Sequence, residues 1–213
     1  MSPEIIFIII LCIVCFEYVL EESLNYFNIK NTSAVIPEKL AGIYDDEEYA
    51  KSQNYFKEKT NFEFISSFLG FAFNLVLILG GFAWLNNTLL VKYPILAEDT
   101  KLLALAFFGV WSFGSSIISL PFSYYDTFVI EEKYGFNKVT VKLFIIDLIK
   151  NTLMSVILGG GFLYLFFWLL EVLNQDFWIY LWAIACAFIL AVQMFLQELF
   201  IKLFNKLTAL EDG

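Results

Sequence analysis

Cys12 and Cys15 form a Cys-x-x-Cys pair, a spacing that in a soluble protein suits dithiol redox chemistry or half of a zinc site. Both lie inside Ile5–Phe16, an unbroken apolar run, where a thiol behaves as a small buried hydrophobe. Cys186 has equally apolar neighbours. Carboxylates are the other candidates. Glu17 and Glu21 lie one helical turn apart near the end of the first apolar run, and Glu198 near the end of the last. Such groups either face an internal polar cavity or mark the membrane edge, and the edge is the simpler reading. Histidine is absent from the whole chain. That excludes Ser-His-Asp and Cys-His catalysis here and leaves zinc without an imidazole ligand. A carboxylate-only magnesium site is normally completed by a phosphorylated substrate, and no Asp-x-x-x-Asp-type cluster occurs. Gly159-Gly160-Gly161 sits within an apolar run and lacks the strand, turn and lysine of a phosphate loop. The sequence therefore offers no catalytic residue and no metal ligand, and no cofactor is expected on this chain alone.

The surrounding elements are those of a membrane protein. Of 213 residues, 60% are hydrophobic and only 16% charged, against about a quarter charged in soluble domains. The formal charge is −9 and all 13 basic residues are lysine, which argues against a nucleic-acid partner, because phosphate contacts need clustered positive charge. Five apolar segments lie near 4–22, 63–85, 102–121, 152–170 and 177–199. Each approaches the roughly 20 residues needed to cross a hydrocarbon core of about 30 Å. The first has neither a basic n-region nor a small-residue cleavage site, so it reads as a retained span. The fold class predicted is all-α: a polytopic helix bundle with about five transmembrane helices, in a lipid bilayer.

Lysine placement orients the bundle. Lys30, Lys39, Lys51, Lys57, Lys59, Lys133, Lys138, Lys142, Lys150, Lys202 and Lys206 fall on one side, and only Lys92 and Lys101 on the other. By the positive-inside rule the N-terminus is outside and the C-terminus cytoplasmic. The first cytoplasmic loop is itself patterned. Asp45 and Glu48 resemble a capping box, and a helix is predicted from Asp46 to about Lys59, running toward the second span. Asn137 is expected to cap a helix from Lys138 that overruns the bilayer and pairs Asp147 with Lys150 on one face. Within that fourth span the glycine triplet would permit close helix approach or a kink.

Between the third and fourth apolar runs lies a polar island, Leu120 to Lys138, dense in aromatics, acids and turn residues. Its residues Leu120-Pro121-Phe122-Ser123-Tyr124-Tyr125, Phe128-Val129, Glu131-Glu132-Lys133 and Gly135-Phe136-Asn137-Lys138 with Thr140 resemble the type 1 CAAX prenyl proteases. Asp147 and Lys150 extend the match. Asp45-Asp46-Glu47 with Lys51-Ser52, Asn54-Tyr55 and Lys59 is similar to that family's first cytoplasmic loop. Phe204-Asn205-Lys206 with Thr208 and Leu210-Glu211-Asp212-Gly213 is similar to the segment after its fifth span. Lys202 and Ala209 stand where family members commonly carry proline.

The resemblance implies an integral-membrane zinc metalloprotease of the bacterial inner membrane or endoplasmic reticulum, with helices enclosing a chamber. Its zinc is held by His-Glu-x-x-His and a later glutamate, the first glutamate acting as general base. It implies a peptide or protein substrate, prenylated at a CAAX box for eukaryotic members. Those zinc-binding residues belong downstream of Gly213, so the chain is expected to be a truncation, an N-terminal membrane domain over 1–213 that is inactive without the catalytic domain. The island is then a cytoplasmic hairpin and helix start, with Glu131, Glu132, Asn137 and Asp147 as braces or contacts to the chamber or catalytic domain. Two alternatives stand beside this reading: a complete, non-enzymatic five-span scaffold or transport component, and a split enzyme with its catalytic half on another chain.

Overall fold

The computed structural model describes residues 2–33, 35–36, 42, 45–191 and 193. Five long helical elements account for almost all of them: α1 (Pro3–Asn31), α2 (Asp46–Lys92), α3 (Thr100–Tyr134), α4 (Val141–Leu173) and α5 (Phe177–Ala191). Short 3-10 turns at Pro94–Ala97 and Asn174–Asp176 precede α3 and α5, and no strand occurs among the described residues. The first four are long and apolar enough to cross a membrane. The part of the fifth predicted span beyond Ala191, Lys39, Glu198, Lys202, Ala209 and the block Phe204–Gly213 lie outside the described residues, Gln193 apart.

Local sequence sets each helix end. At α1, Ser2 Oγ accepts the Ile5 N–H at 3.5 Å, and Pro3 occupies the first turn, where its missing donor costs nothing. With no glycine or proline after Glu22, α1 runs on to Asn31, beyond the span end expected near residue 22. At α2, Asp45 Oδ1 accepts the N–H groups of Glu47 and Glu48 at 3.0 and 3.1 Å, a cap worth about 1 kcal/mol. Asp46, Glu47 and Glu48 place negative charge on the positive end of the helix dipole. The predicted loop helix and second span are therefore one element of 47 residues. At 1.5 Å per residue it is about 70 Å long, more than twice a hydrocarbon core. It kinks at Gly80, where the backbone leaves the helical region within the π turn Leu77–Gly81.

Two expectations for the island need correction. Most of it is helix, not hairpin: α3 carries Pro121 inside it and continues through a π turn, Asp126–Glu131, to Tyr134. The chain reverses only after that, at Gly135 (φ +72°). There the Gly135 N–H donates to Glu132 O at 3.0 Å and the Phe136 N–H to Glu131 O at 2.9 Å, the paired bonds of a Schellman ending. Nor does Asn137 cap the next helix. Its Oδ1 accepts the Val139 N–H at 2.7 Å, folding the side chain back on its own turn. Thr140, extended at φ −83° and ψ 154°, caps α4 by accepting the Leu143 N–H at 3.3 Å. Within α4 the first glycine of the triplet, Gly159, closes a π turn, Ser155–Gly159.

The chain divides into two compact units. In the first, Met1–Thr88 with Ser112–Val139, α1 packs along α2 and the π turn of α3 packs on α2. Tyr18 stacks on Phe71 with centroids 4.1 Å apart, and Ser67 Oγ donates to Glu22. Ile130, 1% exposed, is the most deeply buried large side chain described. In the second unit, Leu89–Trp111 with Thr140–Gly213, the C-terminal half of α4 packs on α5 through Phe166–Phe177 and Phe162–Phe188. Most large apolar side chains elsewhere point outward, among them Phe16, Trp84 and Trp182. An outward apolar surface of this extent needs lipid around it, and fully helical backbone satisfies its own polar groups there.

Candidate functional site

The densest polar chemistry lies in the first unit, where α2, ahead of the apolar stretch 63–85, meets the end of α3. Lys59 Nζ donates to Asp126 Oδ2 at 3.1 Å, to Glu131 Oε1 at 3.5 Å and to the Tyr55 hydroxyl at 3.3 Å. An ammonium has three donors, and all three are engaged. Desolvation works against the charge on Lys59, but the hydrogen bonds it donates to Asp126 and Tyr55 outweigh that and raise its pKa. One α2 residue earlier, Glu58 Oε2 accepts from Lys133 Nζ at 2.6 Å and from the Tyr134 hydroxyl at 2.7 Å. Aromatic rings close the cluster. Tyr55 meets Tyr134 and Phe136 edge-on at 5.5 and 4.8 Å, and Lys51 lies over Phe136 at 5.5 Å. Deeper along the same pair of helices, Phe62 lies 4.8 Å from Tyr125.

Three of the residues singled out in the sequence come together here. Glu131 is an acceptor for Lys59, and Glu132 accepts from Asn137 Nδ2 at 2.8 Å. Asp147 belongs to the other unit, where it faces Lys150 at 3.8 Å on one face of α4. Inspection of the sequence missed Lys59 and Asp126 as partners, 67 residues apart, and also Glu58, Tyr55 and Tyr134. Glu22, which crowds the end of the first apolar run with Glu17 and Glu21, accepts from Ser67 Oγ on α2, a contact that the membrane-edge reading of these acids does not contain. In the second unit, Asp99 Oδ1 accepts the N–H groups of Lys101 and Leu102, and Lys101 Nζ reaches Glu171 at 2.5 Å. Burial works to raise the Asp99 pKa, but those two backbone donors and Lys101 outweigh it and lower the value.

The Glu58 contact gives a pH prediction. Hydrogen bonds from Lys133 and then Tyr134 hold Glu58 below the usual glutamate range. A depressed carboxylate stabilises the fold at pH values above its unfolded pKa, and that contribution is lost as pH falls through the folded value. Amide protection factors at Lys133–Phe136, taken relative to the intrinsic exchange rate at each pH, should therefore fall on acidification through the glutamate range. In E58Q this acid-dependent step should be missing.

The cluster is a clasp between α2 and the end of α3. Lys59 serves both Asp126 and Glu131, Lys133 serves Glu58, and Glu132 takes the Asn137 amide; among the described residues no three His, Cys, Asp or Glu side chains converge as a metal site would require. With no imidazole in the chain, the donors present do not fit a zinc ion held as in a metallopeptidase.

Residues 25–206 match the family model described as CAAX prenyl protease N-terminal, five membrane helices. The chain belongs to this family. It is 35% identical over 211 residues to CAAX prenyl protease 1 of Saccharomyces cerevisiae, covering 92% of this chain and 45% of that protein. The Arabidopsis thaliana CAAX prenyl protease 1 homolog is 32% identical, over 89% of this chain and 46% of its own length. The crystal structure of S. mikatae Ste24p superposes with a TM-score of 0.87 at 33% identity, covering 97% of this chain and 49% of that one. The chain thus spans about half the length of the relatives it matches. As a member of the CAAX prenyl protease N-terminal family it is a multi-pass integral membrane protein, and the clasp joins two of that domain's helices.

Proposed function

We propose that this chain forms the membrane-spanning part of a zinc metalloendopeptidase, supplying chamber wall and scaffold. In this reading residues 1–213 are one N-terminal membrane domain, and the zinc-binding catalytic domain follows it on the same polypeptide. The observation that carries the proposal is the match of 25–206 to the N-terminal family model, in a chain that has no histidine. Zinc, the attacking water and the general base then all belong to the downstream domain, and no chemical step is assigned to residues here. Relatives named for CAAX prenyl proteolysis support a prenylated peptide or protein as substrate. Lysine asymmetry supports an outside N-terminus and a cytoplasmic C-terminus. The clasp then lies on the cytoplasmic side, and the eukaryotic relatives favour the endoplasmic reticulum. Glu131, Glu132 and Asn137 brace the end of α3, and Asp147 the start of α4, for contact with the catalytic domain.

The test is metal content. Purified alone in detergent and dialysed against micromolar zinc, the chain should retain no stoichiometric metal. One tightly bound zinc per chain would overturn the division of labour proposed.

A further inference from the structure

Three π turns interrupt the described helices: Leu77–Gly81, Asp126–Glu131 and Ser155–Gly159. Such turns are rare and are often found at functional positions. The first and third contain glycine. The second, Asp-Thr-Phe-Val-Ile-Glu, contains none, and Pro121 lies upstream of it. Something else holds it. In an α-helix successive residues turn by about 100°, so positions five apart diverge by roughly 140°. Their carboxylates could not then meet one ammonium. A π turn hydrogen-bonds from i to i+5 and brings such positions much closer to one face. Asp126 and Glu131 are five apart, and both reach Lys59 Nζ, at 3.1 and 3.5 Å.

We infer that Lys59 is a positioning residue: by collecting Asp126 and Glu131 together it holds the end of α3 in π register. The extra residue in that turn sets the angle of everything after it. Ile130 is directed into its buried place, Lys133 and Tyr134 toward Glu58, and the Gly135 turn is brought beside Lys51. A return to α register would rotate these residues by about 100° and translate them by about 1.5 Å. The inference concerns the clasp itself. It bears on catalysis only through the proposed function, because the repositioned segment is the one assigned to brace the catalytic domain.

Spin labels at two exposed positions of the first unit, Asn54 and Lys138, provide the test in the full chain, with Cys12, Cys15 and Cys186 replaced by alanine. The K59M variant should shift the interlabel distance by about 3–4 Å, the displacement of a point near the helix axis on losing the π register. K59R, which retains enough donors for all three acceptors, should restore the original distance. Should K59M fail to fold, D126N and E131Q each remove one of the two acceptor charges and should give the same shift. An unchanged distance in folded K59M, or in both acceptor variants, overturns the inference. So does a K59R distance that follows K59M. Because no arm measures proteolysis, failure here leaves the proposed function standing, and the converse also holds.

Discussion

Replacing Ile130 by alanine is expected to destabilise the chain by about 2–5 kcal/mol, the range for emptying a buried aliphatic site. Ile130 is 1% exposed and lies in the π turn that packs on α2, so its loss empties a buried site within the turn that carries the Lys59 acceptors. Close-packed surroundings cannot close fully around the void, which puts the cost above the simple transfer free energy of the lost methylenes. Its neighbour Val129 is 41% exposed, and V129A should change stability by less than about 1 kcal/mol. Thermal unfolding in detergent, followed by circular dichroism, separates the two. Equal effects would mean that the π turn does not direct its residues as described.

Replacing Gly135 by alanine should cost about 1–2 kcal/mol, the penalty for an L side chain in the left-handed region. The cause is backbone conformation, not crowding. Gly135 has φ +72°, and an added Cβ would meet only Lys51 Nζ, at an ordinary 3.7 Å. G135N should be milder, since asparagine enters this region more readily. If alanine and asparagine behave alike, crowding rather than the Schellman geometry governs the site. Because this turn presents Phe136 to Tyr55 and Lys51, the alanine variant should also loosen the aromatic side of the clasp. That would appear as faster exchange at Phe136 and Asn137.

These two residues also mark what was legible in the sequence. Apolar run length gave the first four spans, and an Asp followed by three acids gave the α2 cap and its helix. Glu131, Glu132 and Asn137 could be singled out because they crowd one short polar segment. The π turn left no such trace: Asp126–Glu131 has the composition of an ordinary helix end, and only tertiary contact with Lys59 gives the five-residue spacing a meaning. Asn137 and Thr140 are both competent caps within one turn. The choice fell to Thr140 because Asn137 is committed to Glu132 and Val139, partners that periodicity does not reveal. Glu22 reads in the sequence as one of three acids crowding the end of the first span; because α1 continues past that edge, this apparent boundary residue becomes a contact with α2.

The central claim is that this chain is the scaffold half of a protease whose chemistry lies elsewhere on the polypeptide. Joining residues 1–213 to the C-terminal half of Saccharomyces cerevisiae CAAX prenyl protease 1, and assaying both the fusion and the isolated chain on a farnesylated CAAX peptide, tests it most directly. The account predicts cleavage by the fusion that a zinc chelator abolishes, with the isolated chain inert. Chelator-sensitive cleavage by the isolated chain, or a folded, zinc-loaded fusion that cannot cut, would contradict it.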